Sequence, residues 1–144
     1  MEVEHSHVRF LGNVNLNLWD CGGQMSFMDN YLNKDTENVF SNVQVLIYVF
    51  DIESRDVEAD LEYYKNTLDA LIKYSADSKV YCFFHKMDLI PEAERSVLYA
   101  KREAEVKKRT LPLTATCLMT SIWDETLYRV RNINPRLGHR LYTI

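Results

Sequence analysis

The first hydrophobic pattern in this chain is an alternation of apolar and polar residues close to the N-terminus. It runs through residues 7–11 and again through residues 14–19, and Gly12 and Asn13 between them are typical of a tight turn. A period of two places the apolar residues of a strand on one face and its polar residues on the other. These segments therefore predict an antiparallel hairpin with one face exposed to water.

Three later segments are apolar at almost every position. They cover residues 43–50, 80–84 and 115–119. The run of residues 43–50 is rich in β-branched and aromatic residues, a pattern typical of a strand that helices cover on both faces. We therefore expect three further strands, of which residues 43–50 form a central one.

Two helices are predicted between these strands. After Ser54, a potential helix cap, apolar residues recur at helical spacing, and the pattern ends before Ser75. The recurring residues are Val57, Leu61, Tyr64, Leu68, Leu71 and Ile72. A second helix begins with Pro91 as its first residue and runs to about Arg109, and its many charges predict a surface helix.

The succession of strands, turns and helices defines the fold class. It predicts an α/β fold with a mostly parallel sheet, right-handed crossovers, helices on both faces and one antiparallel hairpin at the edge. With 144 residues, of which 47% are hydrophobic and 26% charged, the chain has material for one domain with one core.

Composition and charge exclude several classes of protein. The net charge of −4 is opposite to the basic surface that nucleic-acid binding requires, so no nucleic-acid partner is expected. No apolar run approaches the roughly 20 residues of a membrane span, and no signal peptide is recognisable, so we expect a cytoplasmic protein without direct membrane insertion. Cys21, Cys82 and Cys117 are odd in number and scattered, which predicts buried thiols and no disulfide framework.

Three polar motifs carry the candidate chemistry, and each follows directly after a predicted strand. They are W-D-C-G-G-Q at residues 19–24, H-K-M-D-L at residues 85–89 and T-S-I-W-D-E at residues 120–125. Open α/β sheets bind ligands at the carboxyl ends of their strands, so the three motifs are expected to lie at one edge.

The residues and the order of these motifs resemble those of the Rag (Gtr-type) GTPases of the Ras superfamily. The run V-L-I-Y-V-F-D at residues 45–51 adds to the resemblance, and His85 in place of the usual asparagine is typical of the RagA/RagB-like branch. The resemblance extends from about Val3 to Tyr128. It implies a Ras-like P-loop GTPase fold with GTP/GDP and Mg²⁺ as its ligands.

The resemblance and the side-chain chemistry together assign roles in nucleotide binding. Asp20 would hold Mg²⁺ through water, the backbone N–H of Gly23 would approach the terminal phosphate, and Gln24 would orient the attacking water as the catalytic residue. The carboxylate of Asp88 can accept both the N1–H and the exocyclic amine of guanine, and adenine does not offer this pair of donors.

Other residues of the last two motifs complete the expected nucleotide site. The alkyl stem of Lys86 can lie along the base and ribose while its ammonium reaches back to the phosphate loop. His85 can donate toward guanine N7 or brace the loop. Ser121 and Ile122, which follow Thr120 in the third motif, can present backbone N–H groups to guanine O6.

Each of these residues also has an ordinary structural interpretation. An acidic residue before two glycines, such as Asp20, is usually part of a turn, and Lys86 with Asp88 would in isolation be a solvated pair. Three motifs in the family's order favour the functional interpretation. His5 and His7 share a strand face, but no third ligand lies nearby in sequence, so a metal site there is not favoured.

The sequence departs from the family pattern at both ends. It contains no G-x-x-x-x-G-K-[ST] phosphate loop and no switch-one segment, and it begins at what would be the second strand. In a Ras-like sheet the first strand lies between residues 14–19 and 43–50, so we expect these strands to lose a ladder of hydrogen bonds and the sheet to lose its middle. Residues 129–144 lack the pattern of a closing helix, and the family's C-terminal dimerisation domain is absent.

We therefore interpret residues 1–144 as a partial Rag-type GTPase domain, either a fragment or an incomplete gene model. The resemblance implies that the parent protein is a GTPase switch that pairs with a RagC/RagD-like subunit. It would relay amino-acid sufficiency to the target-of-rapamycin kinase complex through a membrane scaffold at the lysosome or vacuole. The alternative is an interaction module without nucleotide binding or hydrolysis of its own. Asp20 and Gln24 favour the switch for the parent, and the absent phosphate loop favours the alternative for this chain.

Overall fold

The computed structural model describes residues 4–10, 14–21, 36–123 and 140–143. One sheet contains six strands in the spatial order β1-β2-β6-β3-β4-β5. The strands are β1 (Glu4–Phe10), β2 (Val14–Asp20), β3 (Val45–Asp51), β4 (Lys79–His85), β5 (Ala115–Met119) and β6 (Arg140–Thr143). The described helices are α1 (Thr36–Phe40), α2 (Val57–Tyr74) and α3 (Glu92–Thr110), and a single 3₁₀ turn spans Met87–Leu89.

The hairpin and the parallel part of the sheet confirm the predicted α/β fold. β1 pairs antiparallel with β2, with Val8 opposite Leu16 and Phe10 opposite Val14. All other strand pairs are parallel. The predicted turn at Gly12 and Asn13 lies outside the described residues.

The position between β2 and β3 is the main departure from the sequence-based expectation. β6 occupies it and runs parallel to both neighbours, with Leu141 in register with Leu18 of β2 and with Val45 of β3. The expectation that these strands lack a partner between them is therefore wrong where β6 pairs with them. Unpaired backbone N–H and C=O groups inside a sheet are costly, which favours any extended segment that can reach this position.

The core lies between the sheet and the two long helices. The ring of Tyr64 in α2 packs against Tyr48 and Phe50 of β3, with centroid distances of 4.9 and 5.3 Å. Phe84 of β4, the register partner of Phe50, contacts Tyr99 of α3 at 5.6 Å. Register partners in parallel strands share a face, so α2 and α3 cover the same face of the sheet.

The opposite face of β3 is more open in the part of the chain that the structure describes. Along β3 the inner positions Leu46, Tyr48 and Phe50 are buried, whereas Val49 between them is 36% exposed. Residues 43–50 were predicted to lie under helices on both faces, and the described helices confirm this for one face.

The ends of the two long helices differ slightly from the predicted ones. Asp56 caps α2, because its side chain accepts a hydrogen bond from the amide of Ala59 at 3.1 Å. The predicted cap, Ser54, instead donates its amide to the carbonyl of Asp51 in the preceding turn. Pro91 is the residue before α3 and not its first residue, and α3 buries Val106 and Thr110, as expected for a surface helix.

The structure describes all three cysteines, and their expected burial is confirmed. Cys21, Cys82 and Cys117 are buried, and none of the three forms a disulfide bond. Within the described residues, no helix is both long enough and apolar enough to cross a membrane.

Candidate functional site

The carboxyl ends of the parallel strands bring the predicted motifs to one edge of the sheet. Asp20 ends β2, Asp51 ends β3, His85 ends β4, and Thr120 directly follows β5. Of the first motif, the structure describes the backbone of Asp20 and the buried Cys21. Gly23, Gln24 and the side chain of Asp20 lie outside the described residues, so their roles remain predictions.

The second motif forms a tight turn that begins with an unusual backbone conformation. Lys86 adopts φ 63° and ψ 29°, in the left-handed region that non-glycine residues seldom occupy. The 3₁₀ turn follows at once, and the amides of Leu89 and Ile90 donate to the carbonyls of Lys86 and Met87 at 3.0 and 3.2 Å. This reversal directs the chain after β4 back toward the end of β5.

A hydrogen bond joins Asp88 to the third motif. The hydroxyl of Ser121 donates to Oδ1 of Asp88 at 2.5 Å, and the same hydroxyl oxygen accepts the amide of Trp123 at 3.0 Å. Ser121 is fully buried, which fixes the direction of this contact. A carboxylate has about four acceptor positions on its two oxygens, so Asp88 keeps the capacity to accept both donors of the guanine edge.

A second contact between the two motifs involves His85 and Thr120. Nδ1 of His85 and Oγ1 of Thr120 form a hydrogen bond at 3.0 Å. The buried Thr120 also donates its amide to the carbonyl of Phe84 at 2.9 Å and accepts the amide of Met87 at 3.3 Å. These bonds hold the ends of β4 and β5 together, which supports the bracing role of His85.

Lys86 binds a residue that the sequence analysis did not select. Its ammonium forms an ion pair with Oδ2 of Asp51, and Oδ1 of Asp51 accepts the amide of Glu53 at 3.0 Å. Partial burial acts to raise the pKa of Asp51, but the hydrogen bonds from Lys86 and Glu53 outweigh it and lower that pKa. The bond to Asp51 also raises the pKa of Lys86. The feature of the sequence that could have indicated Asp51 as a partner of Lys86 is an acidic residue at the end of the strand next to β4.

Ile122 and Trp123 of the third motif have exposed side chains. The side chain of Ile122 is 53% exposed and that of Trp123 is 80% exposed. This exposure places the Trp123 side chain at the surface of the described part of the chain. The contacts of the Ser121 and Ile122 backbone N–H groups with guanine O6 remain predictions.

The described residues fit the guanine base better than they fit the phosphates or the metal. The carboxylate of Asp88, held by Ser121, has acceptor positions left over that could receive the two donors of a guanine edge. No group of three or more His, Cys, Asp or Glu side chains in the described ranges could hold a metal ion. The Mg²⁺ role of Asp20 rests on a side chain outside those ranges.

Comparison with known proteins agrees with these motifs. The sequence model of the family described as "Gtr1/RagA G protein conserved region" matches residues 1–131. Ras-related GTP-binding protein A of Dictyostelium discoideum is 54% identical over 129 residues, which are 90% of this chain and 43% of that protein. Ras-related GTP-binding protein B of Rattus norvegicus is 53% identical over 128 residues, which are 89% of this chain and 34% of that protein.

A third relative belongs to a different branch. Ras-related GTP-binding protein C of Homo sapiens is 28% identical over 134 residues, which are 86% of this chain and 33% of that protein. The chain thus spans less than half the length of these relatives. Because the family model covers most of the chain and the A-type and B-type proteins are much more similar than the C-type, the chain belongs to the Gtr1/RagA family of G proteins, in its RagA/RagB branch.

Proposed function

We propose that this chain carries the guanine-recognition part of the nucleotide site of a Rag-type GTP-binding protein. The observation that supports this most directly is the contact between Asp88 and Ser121 at 2.5 Å, which holds the carboxylate at the sheet edge where ligands bind in open α/β sheets. Guanine offers that carboxylate an N1–H and an amine. Adenine presents an acceptor at N1, so the carboxylate would repel it.

The rest of the proposed reaction uses residues of the first motif. When bound, Mg²⁺ would neutralise charge on the β- and γ-phosphates. Asp20 would hold the metal through water, the N–H of Gly23 would contact the γ-phosphate, and Gln24 would position the water that hydrolyses GTP slowly. Loss of the γ-phosphate would then change partner contacts, as in other GTPase switches.

The cellular role is proposed on the basis of the family. Membership of the RagA/RagB branch, together with the existence of a C-type relative, supports a heterodimer with a RagC/RagD-like subunit. By resemblance, the complex would act in amino-acid signalling to the target-of-rapamycin kinase complex. A membrane scaffold would recruit it from the cytoplasm to the lysosome or vacuole.

A second candidate function is an interaction module without nucleotide turnover. Two observations favour it for these 144 residues. They contain no glycine-rich phosphate loop, and the Lys86 ammonium, which was expected to reach toward such a loop, binds Asp51. Base contacts alone cannot replace the charge-assisted hydrogen bonds that hold phosphates.

Equilibrium binding of a fluorescent GTP analogue distinguishes the two candidates. The chain itself should show no measurable binding at micromolar nucleotide. A version preceded by the phosphate-loop segment of a Rag relative should bind tightly with Mg²⁺, because several bonds of roughly 1.5–3 kcal/mol each are restored. Tight, Mg²⁺-dependent binding by the chain alone would require a phosphate site elsewhere. Absence of binding by both forms would leave the interaction module as the better interpretation.

Base selection is tested by Asp88→Asn in the extended version. The new amide offers a donor where xanthine has a second carbonyl, so affinity should fall for GTP and rise for xanthosine triphosphate. Asp77→Asn, the same change in an exposed turn before β4, should leave both affinities unchanged. Equal GTP affinity of the Asp88 variant and the parent, measured by calorimetry, would disprove the assignment.

A further inference from the structure

Arg95 places a positive charge in the first turn of α3, where such a charge is normally unfavourable. The N-terminal end of a helix carries partial positive charge, and Glu92 and Glu94 provide the usual compensation here. Arg95 comes directly after them and is half-buried. A cation at this position therefore needs stabilising contacts of its own.

Those contacts are with the turn that presents Asp88. Nε of Arg95 donates to the carbonyl oxygen of Ile90 at 2.7 Å, and an Nη donates to the carbonyl oxygen of Asp88 at 3.2 Å. A guanidinium is a rigid planar fork and can bridge two carbonyls, whereas an ammonium is a single point of charge. Arg95 thus closes the turn between Asp88 and Ile90 from the helix side.

Contacts from the sheet hold the same turn on its other side. The amide of Met87 donates to the carbonyl of Thr120 at 3.3 Å, and Ser121 holds the carboxylate of Asp88 at 2.5 Å. The side chain of Asp88 is therefore fixed by Ser121, and its own peptide group is fixed by Arg95. The contacts with Ser121 and with Arg95 are both needed to fix the Asp88 carboxylate, because its direction depends on the backbone conformation as well as on the side-chain rotamer.

We propose that Arg95 is a positioning residue for guanine selection, which holds the backbone of Asp88 so that both carboxylate oxygens face the base. This inference rests on the proposed function, because it concerns the residue proposed to read the guanine edge. It adds a requirement that neither the three motifs nor the contacts of Asp88 with the sheet contain: the first turn of α3 must carry an arginine.

Amide hydrogen exchange of the 144-residue chain, without nucleotide, tests whether Arg95 holds the turn between Asp88 and Ile90. In Arg95→Met and Arg95→Lys, the amides of Leu89 and Ile90 should exchange about tenfold faster, since hydrogen bonds to a charged group are lost. Arg102→Met removes the same charge from the same helix at a residue that pairs with Glu105, and it should leave these two amides unchanged. Rescue by lysine would show that charge alone suffices, and would overturn the bridging role.

The preference for GDP over IDP tests whether Arg95 positions the Asp88 carboxylate. It is measured in the version that is extended with a phosphate loop. Inosine lacks the exocyclic amine, so this ratio reports how well Asp88 meets both donors, whereas a general loss of stability lowers both affinities together. We expect Arg95→Lys to reduce the ratio about tenfold and Arg102→Met to retain it. Faster exchange with an unchanged ratio would overturn the proposal.

The same measurements separate failure of this inference from failure of the proposed function. If the unmutated extended protein shows no preference for GDP over IDP, the proposed function is wrong, and the selectivity role of Arg95 is overturned with it. The exchange rates of Leu89 and Ile90 would then still show whether Arg95 holds the turn.

Discussion

Lys86 occupies a left-handed backbone conformation that costs a residue other than glycine roughly 1–2 kcal/mol. Its neighbours show what offsets this cost. Its carbonyl accepts the amide of Leu89, and its ammonium pairs with Asp51. The ion pair is about half-exposed, with 47% of the Lys86 side chain and 43% of the Asp51 side chain accessible. Such pairs contribute little on their own, so the backbone bonds of the turn are the more important stabilising contacts.

The ion pair should make stability depend on pH in the acidic range. The folded chain lowers the pKa of Asp51, so this carboxylate stabilises the fold above its unfolded pKa, near 3.8, and the stabilisation is lost as the pH falls through the lowered value. Between pH 7 and pH 3 the parent should therefore lose more stability than Asp51→Asn. We expect a difference below about 1 kcal/mol because the pair is exposed.

Urea denaturation at the two pH values measures this difference. Lys86→Met removes the same pair from the other side and should also reduce the loss on acidification, but by less than Asp51→Asn, because Asp51 keeps the hydrogen bond from the amide of Glu53. If the parent and Asp51→Asn lost equal stability on acidification, the pair would contribute nothing measurable.

At the scale of elements, a chain of buried hydrogen bonds joins α2, α3 and β4. The hydroxyl of Tyr64 in α2 lies 2.7 Å from Oγ1 of Thr110 in α3, and the thiol of Cys82 in β4 donates to the same tyrosine oxygen at 3.3 Å. Thr110 in turn donates to the carbonyl of Val106 at 2.7 Å. Tyr64 is fully buried, and this burial raises the pKa of its hydroxyl. Its position therefore depends on partners from two other elements.

Thr110→Val should destabilise the chain by about 1–3 kcal/mol, because the buried Tyr64 hydroxyl loses its acceptor. Thr67→Val is the matched control: Thr67 is also buried and also donates to a carbonyl four residues earlier, that of Tyr63 at 2.9 Å, and no bond from a tyrosine hydroxyl to Thr67 is seen in the described residues. Thr67→Val should therefore destabilise the chain clearly less than Thr110→Val does.

Urea denaturation midpoints of both variants, in the parent and in a Tyr64→Phe background, test whether the hydrogen bond between Tyr64 and Thr110 causes the difference. In that background the cost of Thr110→Val should fall to that of Thr67→Val. Equal costs of Thr110→Val in the two backgrounds would mean that the tyrosine contact adds nothing.

At the scale of the whole molecule, β6 links two parts of the sheet that would otherwise lie apart. It pairs with Asn17–Asp20 on one side and with Val45–Ile47 on the other. Without it, β1 and β2 would form a two-stranded hairpin, which is only marginally stable on its own. We therefore expect the hairpin to depend on a segment more than a hundred residues away in sequence.

Leu141→Pro tests this dependence, because proline removes a backbone donor from the middle of the sheet. A buried carbonyl left without its donor costs about 1–3 kcal/mol, so the melting temperature should fall and the amides of Asn17–Asp20 should exchange faster. Leu141→Val keeps the backbone N–H and should behave like the parent. An unchanged melting temperature for Leu141→Pro would show that β6 does not stabilise the sheet.

Local patterns in the sequence determined most of the elements and identified the family. The runs at residues 80–84 and 115–119 correspond to β4 and β5, and the helical spacing after Ser54 corresponds to α2, because each pattern reports which face of one element is buried. The three motifs identified the family because their residues and their order after successive strands resemble those of the family that the sequence comparison shows.

Only the tertiary structure showed the partners that are distant in sequence. Asp51 beside Lys86, Arg95 bridging two carbonyls and β6 between β2 and β3 are contacts between segments whose own patterns do not encode them. Residues 140–143 are too few to show a strand period, and they become a strand because two neighbours offer unpaired backbone groups. A sequence read alone specifies what each segment can form, whereas the folded sheet selects which of those possibilities is used.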